Sequence, residues 1–73
     1  MSINNTDIIF KVLTNKRTKN KSSGGSTRFT LSGLNIVMSN RIAEKVFEFL
    51  RNKRISILRE FLELHSESIK TNF

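Results

Sequence analysis

Residues 27–38 read T-R-F-T-L-S-G-L-N-I-V-M, and this stretch decides the fold that the sequence predicts. Its apolar side chains alternate with other residues in the period-two pattern of a strand that buries one face. They are Phe29, Leu31, Leu34, Ile36 and Met38. The alternation changes phase at Ser32-Gly33, and one extra residue would restore the register. We therefore predict a single strand over residues 27–38 with a β-bulge at Gly33.

A first strand is predicted upstream, over residues 7–14. Ile8, Phe10 and Val12 would share one face, and the segment is short and rich in β-branched residues. The polar residues 15–21 give a helix no continuation. Two strands joined by one connection predict an antiparallel β-hairpin, preceded by a flexible tail at residues 1–6.

The connection between these strands, residues 15–26, is dominated by Asn, Lys, Ser and Gly, which predicts a long flexible loop. From Lys11 to Arg28 the chain carries six basic residues and no acidic one. Cations on a flexible loop suit a polyanion, because phosphate contacts depend on charge and reach, and released counterions drive the binding.

A helical region follows, with Ser39 or Asn40 as its N-cap. Apolar residues recur at helical spacing on both sides of an interruption at residues 51–54. Either one helix spans residues 39–68, or two helices meet near residues 52–56 with Ser56 as the second cap. Asn52 and β-branched Ile55 favour the break. Residues 70–73 are predicted to be a flexible tail.

The predicted fold class is therefore α+β: an antiparallel β-hairpin with a long basic loop, followed by one long or two short C-terminal helices. The 73 residues are enough for a single small domain with a thin core. Cysteine is absent and histidine occurs once, so disulfides and thiolate or histidine metal clusters are not expected. Oligomerisation is the remaining stabiliser, and we expect a homodimer. The predicted interface residues are Phe47, Leu50, Leu58 and Phe61.

The formal charge of +7 favours nucleic acid, an anionic membrane or an acidic protein surface as partner. Residues 1–38 hold six bases and one acid, whereas residues 39–73 hold seven bases and five acids, so the imbalance lies in the N-terminal half. No signal peptide or transmembrane run is visible. We expect a protein of the cytoplasm, or of the host-cell cytoplasm if viral, with no membrane partner.

The candidate nucleic-acid-binding residues form two clusters, of which the second also fits a polar turn between helices. They are Lys11, Lys16, Arg17, Lys19, Lys21 and Arg28, then Arg51, Lys53 and Arg54. Five phenylalanines are expected mainly in the core, with Phe29 the first candidate for base stacking: Phe10, Phe29, Phe47, Phe49 and Phe61. His65 lacks a nucleophile or an orienting carboxylate at a known spacing. We predict no enzyme activity, no cofactor and no metal.

The stretch L-N-I-V-M-S-N-R-I-A-E-K at residues 34–45 resembles the start of a ribbon-helix-helix DNA-binding domain, and residues 55–62 resemble its second helix. The resemblance covers about half of the chain. It implies a ribbon-helix-helix-like intertwined dimer in which Asn35 and Val37 face a major groove.

Two functions follow from the sequence. The first is a small basic protein that binds DNA or RNA through phosphate contacts of the loop. A regulatory factor is one form that this function could take. The alternative is a small viral or mobile-element inhibitor or adaptor, whose basic loop would occupy the nucleic-acid-binding or acidic surface of a host protein.

Overall fold

Helices and an antiparallel sheet form two layers in the computed structural model, which describes residues 5–72. Within residues 5–72, helix α1 (Asn5–Thr14) is followed by a three-stranded meander and then by two helices, a 3₁₀ turn and a short strand. The remaining bounds are β1 (Lys19–Ser23), β2 (Ser26–Leu31), β3 (Leu34–Ser39), α2 (Asn40–Arg51), α3 (Ile55–Leu64), the 3₁₀ turn (Ser66–Ser68) and β4 (Lys70–Asn72). The predicted α+β class is confirmed.

The sheet has the strand order β1-β2-β3-β4, with every neighbouring pair antiparallel. Two-residue turns join β1 to β2 and β2 to β3, and both residues of each turn have positive φ (57° and 87° at Gly24-Gly25, 48° and 86° at Ser32-Gly33). Positive φ at both positions is what a type I′ hairpin turn requires.

The predicted bulge at Gly33 is therefore wrong, because Ser32-Gly33 is a turn between two strands. Leu31 pairs with Leu34 across that turn, so Phe29, Leu31, Leu34, Ile36 and Met38 lie on one face. This pairing explains the phase change in the sequence.

Residues 5–14 form helix α1, so the strand predicted over residues 7–14 is wrong. Ile9, Val12 and Leu13 are buried and occupy the i, i+3 and i+4 positions of one helical face. That face packs against α3 and β2, and tertiary packing outweighs the weak preference of β-branched residues for strands. Thr6 was predicted to lie in the flexible tail, but it is buried and belongs to α1.

Residues 15–26 contain strand β1 instead of one long irregular loop. The side chain of Asn15 accepts from the Arg17 N–H (2.8 Å), and the turn leads directly into Lys19. All five β1 residues are exposed and none is apolar. Backbone pairing with β2 defines this strand. Because neither of its faces is buried, the sequence shows no hydrophobic alternation there.

The helical region confirms the predicted start and the predicted break. Ser39 is the N-cap of α2, and its Oγ accepts from the Ile42 N–H at 3.3 Å. Lys53 adopts a left-handed conformation (φ 57°) after α2, and the Arg54 N–H donates to the Phe49 carbonyl at 2.9 Å. The prediction that Ser56 caps the second helix is wrong, because Arg54 holds that position and Ser56 lies inside α3.

The C-terminal region is also more ordered than predicted. Lys70–Asn72 forms β4 on the free edge of β3, and the preceding Ile69 is only 6% exposed. A tail was therefore the wrong prediction for these residues, since burial of Ile69 holds the chain beside β3. The predicted tail residues 1–4 and 73 lie outside the described part.

The core lies between the sheet and the helices. Its buried apolar residues are Ile9, Val12, Leu13, Phe29, Ile36, Met38, Ala43, Val46, Leu58, Leu62 and Ile69. Leu58 is 0% exposed within one copy of the chain, so the prediction that it lies at a dimer interface is wrong. Phe47, Leu50 and Phe61 are half-buried against the core, and the homodimer itself stays a prediction.

The resemblance to a ribbon-helix-helix domain does not extend to the fold. The resemblance implies an intertwined dimer with a short strand before the first helix. Here β3 lies between β2 and β4, so both of its edges are already paired within one chain. No helix within residues 5–72 combines the length and the apolar character needed to cross a membrane.

Candidate functional site

One face of the sheet is covered by the helices, and the opposite face is open. Buried Thr27 and Phe29 point to the helices, whereas Arg28 between them is exposed. Cross-strand partners share a face, so the register defines the open surface, which we call the outer face. Its members are Lys19, Lys21 and Ser23 of β1, Ser26, Arg28 and Thr30 of β2, Asn35, Val37 and Ser39 of β3, and Lys70 and Asn72 of β4.

Four cations lie on the outer face, and three of them occupy one row across the sheet. Lys21 pairs with Arg28, Arg28 with Val37, and Val37 with Lys70. Lys19 begins the adjacent row, which continues through Thr30, Asn35 and Asn72. The row of Lys21, Arg28, Val37 and Lys70 therefore places charge at both edges of the sheet and on the inner strand β2.

Acidic side chains are confined to the helical elements. They are Asp7, Glu44, Glu48, Glu60, Glu63 and Glu67. Both ion pairs found within residues 5–72 join helix residues, namely Arg59 with Asp7 and Lys45 with Glu48. The outer face is therefore uniformly basic, and the opposite layer carries mixed charge.

Lys21 and Arg28 are the one pair of like charges placed directly opposite each other among the cross-strand pairs of the outer face. Like charges directly opposite each other on neighbouring strands destabilise a sheet. A lysine on an edge strand has a separate structural use, because it discourages pairing with another chain. That explanation fits Lys19, Lys21 and Lys70, which lie on the edge strands β1 and β4. It does not account for Arg28, which lies on the inner strand β2.

The basic hairpin is fixed to the start of α2 by hydrogen bonds on the covered face. Thr27 Oγ1 donates to Asn40 Oδ1 at 2.7 Å and lies 2.9 Å from Ser22 Oγ. The Asn40 N–H donates to the Gly25 carbonyl at 3.0 Å. These bonds join β1, β2 and α2. Lys19, Lys21 and Arg28 are therefore held on a hydrogen-bonded sheet and not on a free loop.

Small polar residues surround the cations. A shallow depression is lined by Lys21, Ser23, Ser26, Arg28 and Val37. A second depression lies beside it, bounded by the Gly24-Gly25 turn and Lys70. In the neighbouring row, the Thr30 hydroxyl donates to Asn35 Oδ1 at 3.1 Å. Short hydroxyl and amide side chains let an extended ligand approach the sheet closely.

The structure brings together only part of the predicted site. Lys19, Lys21 and Arg28 share the outer face, and Lys16 and Arg17 lie in the turn just before β1. The other predicted residues, Lys11 of α1 and Arg51, Lys53 and Arg54 around the α2–α3 turn, belong to the helix layer. They do not extend the outer face.

Lys70 is the cation that the sequence interpretation missed, because residues 70–73 were predicted to be a tail. The only local signal is the alternation of Ile69, Lys70 and Thr71, which is too short to define a strand. The stacking role considered for Phe29 is wrong, since Phe29 is 2% exposed and faces the helices. Within residues 5–72 the outer face carries no aromatic side chain.

Comparison with known proteins adds no family and no named relative. No protein-family model, curated protein or solved structure matches this chain.

Proposed function

We propose that this protein binds nucleic acid through the outer face of its sheet, with Lys19, Lys21, Arg28 and Lys70 in contact with the polyanion. The observation that carries the proposal is the direct opposition of Lys21 and Arg28 on a surface without acidic residues. This arrangement lowers the stability of the isolated sheet. A row of phosphates would neutralise both charges and release counterions on binding.

The number of cations sets the expected salt dependence. If all four outer-face cations contact phosphates of duplex DNA, the slope of log K against log salt is about −3.6. Affinity then falls by about 150-fold between about 50 and 200 mM salt. Further contacts from Lys16 and Arg17, which precede β1, would make the slope steeper.

Fluorescence anisotropy with labelled duplex DNA, single-stranded DNA and duplex RNA, each over a salt series, tests the proposal. The double variant Lys21→Ser/Arg28→Ser should reduce the slope to about −1.8, so that the same salt step weakens binding by only about 12-fold. The matched control is Arg41→Ser/Lys45→Ser, which removes the same charge from exposed positions of α2. The control should keep the slope of the parent protein.

Two results would refute the proposal. One is the absence of binding to all three nucleic acids at the lowest salt. The other is an equal loss of slope in both double variants, which would mean that net charge acts without the outer face. Capture of the same protein partner from a nuclease-treated lysate by the parent protein, but not by the Lys21→Ser/Arg28→Ser variant, would instead favour the adaptor alternative.

A further inference from the structure

The division of side chains among the four strands points to the kind of nucleic acid that the outer face fits. The edge strands β1 and β4 contribute lysines, namely Lys19, Lys21 and Lys70. The inner strands β2 and β3 contribute groups that recognise base edges: Arg28, Asn35 and Val37. We infer that the outer face binds duplex DNA in its major groove, with the inner strands facing the bases and the edge lysines on the phosphates.

This inference rests on the proposed function and adds the substrate class and the roles of individual residues. On a recognised duplex Arg28 contacts a base instead of a phosphate, so the three lysines set a slope of about −2.7 there; the slope of about −3.6 applies to duplexes without the recognised sequence. Protein contacts to DNA divide into phosphate contacts, which fix position, and base-edge contacts, which give specificity. The lysines at both margins of the sheet have the character of the first kind, because a flexible ammonium group makes a point contact with phosphate. Arg28 has the character of the second kind, because it lies on an inner strand and its guanidinium can form two hydrogen bonds to guanine O6 and N7.

The dimensions of the sheet are compatible with the groove. Adjacent strands lie about 4.8 Å apart, so the backbones of β1 and β4 are separated by about 14 Å. The major groove of B-form DNA is about 12 Å wide. The backbones of β2 and β3 therefore fit between its walls, while the edge lysines lie level with the phosphates. All five residues of β1 are exposed, so the helix layer does not obstruct this edge.

The rows of the sheet place different groups at different positions along the groove. The row with Arg28 and Val37 is two residues away from the row with Thr30 and Asn35, which is about 6.8 Å along a strand. With β1 and β4 beside the two phosphate walls the strands run along the groove, so the two rows face different base pairs. Arginine pairs with guanine O6 and N7, asparagine with adenine N6 and N7, and an apolar side chain contacts the thymine methyl group.

Other nucleic acids fit this surface less well. Single-strand binders stack bases on aromatic side chains, and within residues 5–72 the outer face presents none. The major groove of duplex RNA is too deep and narrow for side chains to read. Duplex DNA is left as the polyanion whose accessible groove matches both the width and the chemistry of the sheet.

Selection from a randomised duplex DNA pool, followed by affinity measurements on an enriched and a shuffled duplex, tests the inference. Arg28→Lys keeps the charge and removes the two-pronged hydrogen bonding. It should weaken binding to the enriched duplex by about 5- to 150-fold and leave the shuffled duplex nearly unchanged. Lys70→Ala should weaken both duplexes equally and reduce the salt slope by about 0.9. Arg41→Lys on α2 is the control and should change neither.

The outcomes separate this inference from the proposed function. Equal weakening of both duplexes by Arg28→Lys, or a pool without enrichment, would overturn base recognition while leaving phosphate binding intact. Tighter binding to single-stranded DNA or duplex RNA than to any duplex DNA would overturn the substrate class alone. Absence of binding to every probe would overturn the proposed function and this inference together. Far-UV circular dichroism of each variant verifies that it is folded.

Discussion

Two leucines on the same helix provide a sharp test of how α3 packs. Leu58 is 0% exposed in the core, whereas Leu64, six residues later, is 83% exposed. Replacing buried leucine with alanine costs about 2–5 kcal/mol, because transfer free energy is lost and a cavity remains. A chain of 73 residues has a total stability of about 4–11 kcal/mol. Leu58→Ala should therefore remove a large share of the stability, and Leu64→Ala should change it by at most about 0.5 kcal/mol.

Urea unfolding followed by far-UV circular dichroism measures this difference, since the chain has no tryptophan or tyrosine to report by fluorescence. With a denaturant slope of about 1 kcal/mol per molar urea, a loss of about 3 kcal/mol lowers the midpoint by about 3 M. The midpoint of Leu64→Ala should stay within about 0.5 M of the parent. Equal losses in the two variants, or a larger loss for Leu64→Ala, would refute the assignment of the buried face of α3.

Three further predictions concern local features. Ser39→Ala should lower the free energy of unfolding by about 1 kcal/mol, because it removes the N-cap acceptor of α2. Thermal unfolding measures the loss, and Ser39→Thr, which keeps the acceptor, is the control. Ser32→Asn should raise the free energy of unfolding by about 0.5 kcal/mol, since asparagine tolerates positive φ in a type I′ turn better than serine. A lower midpoint of urea unfolding would contradict that turn geometry. If the expected homodimer uses exposed Leu64, sedimentation equilibrium should show that Leu64→Lys shifts dimer to monomer, and an unchanged dimer would exclude that side of α3.

The features that the sequence predicted correctly depend on local signals. Ser39 is followed by apolar residues at helical spacing, so the start of α2 can be read from neighbouring residues alone. The α2–α3 break is similarly marked by a polar turn and by Asn52. Residues 7–14 are ambiguous because Ile9, Val12 and Leu13 fit a helical face, while Ile8, Phe10 and Val12 fit a strand. Contact with α3 and β2 decides between them, and that contact is not encoded in any short window.

The candidate site shows the same division between local and long-range information. The density of basic residues around Lys19, Lys21 and Arg28 is visible in the sequence. Their meeting with Lys70 depends on strand register, which the type I′ turns and the burial of Ile69 determine together. A scan of composition finds the charge but not the surface on which it is displayed.

The position of β4 has a consequence for when the outer face is complete during folding. The β1–β3 meander joins near neighbours in the chain and can form early, because loop closure over short distances costs little entropy. Lys70 reaches its row only after α2 and α3 have folded back and returned the chain to β3. A newly synthesised chain would therefore lack this edge of the outer face until residues 70–72 have emerged and paired with β3. Because a ligand that prefers the complete sheet stabilises it, we expect bound DNA to slow amide hydrogen exchange in Lys70–Asn72 most strongly.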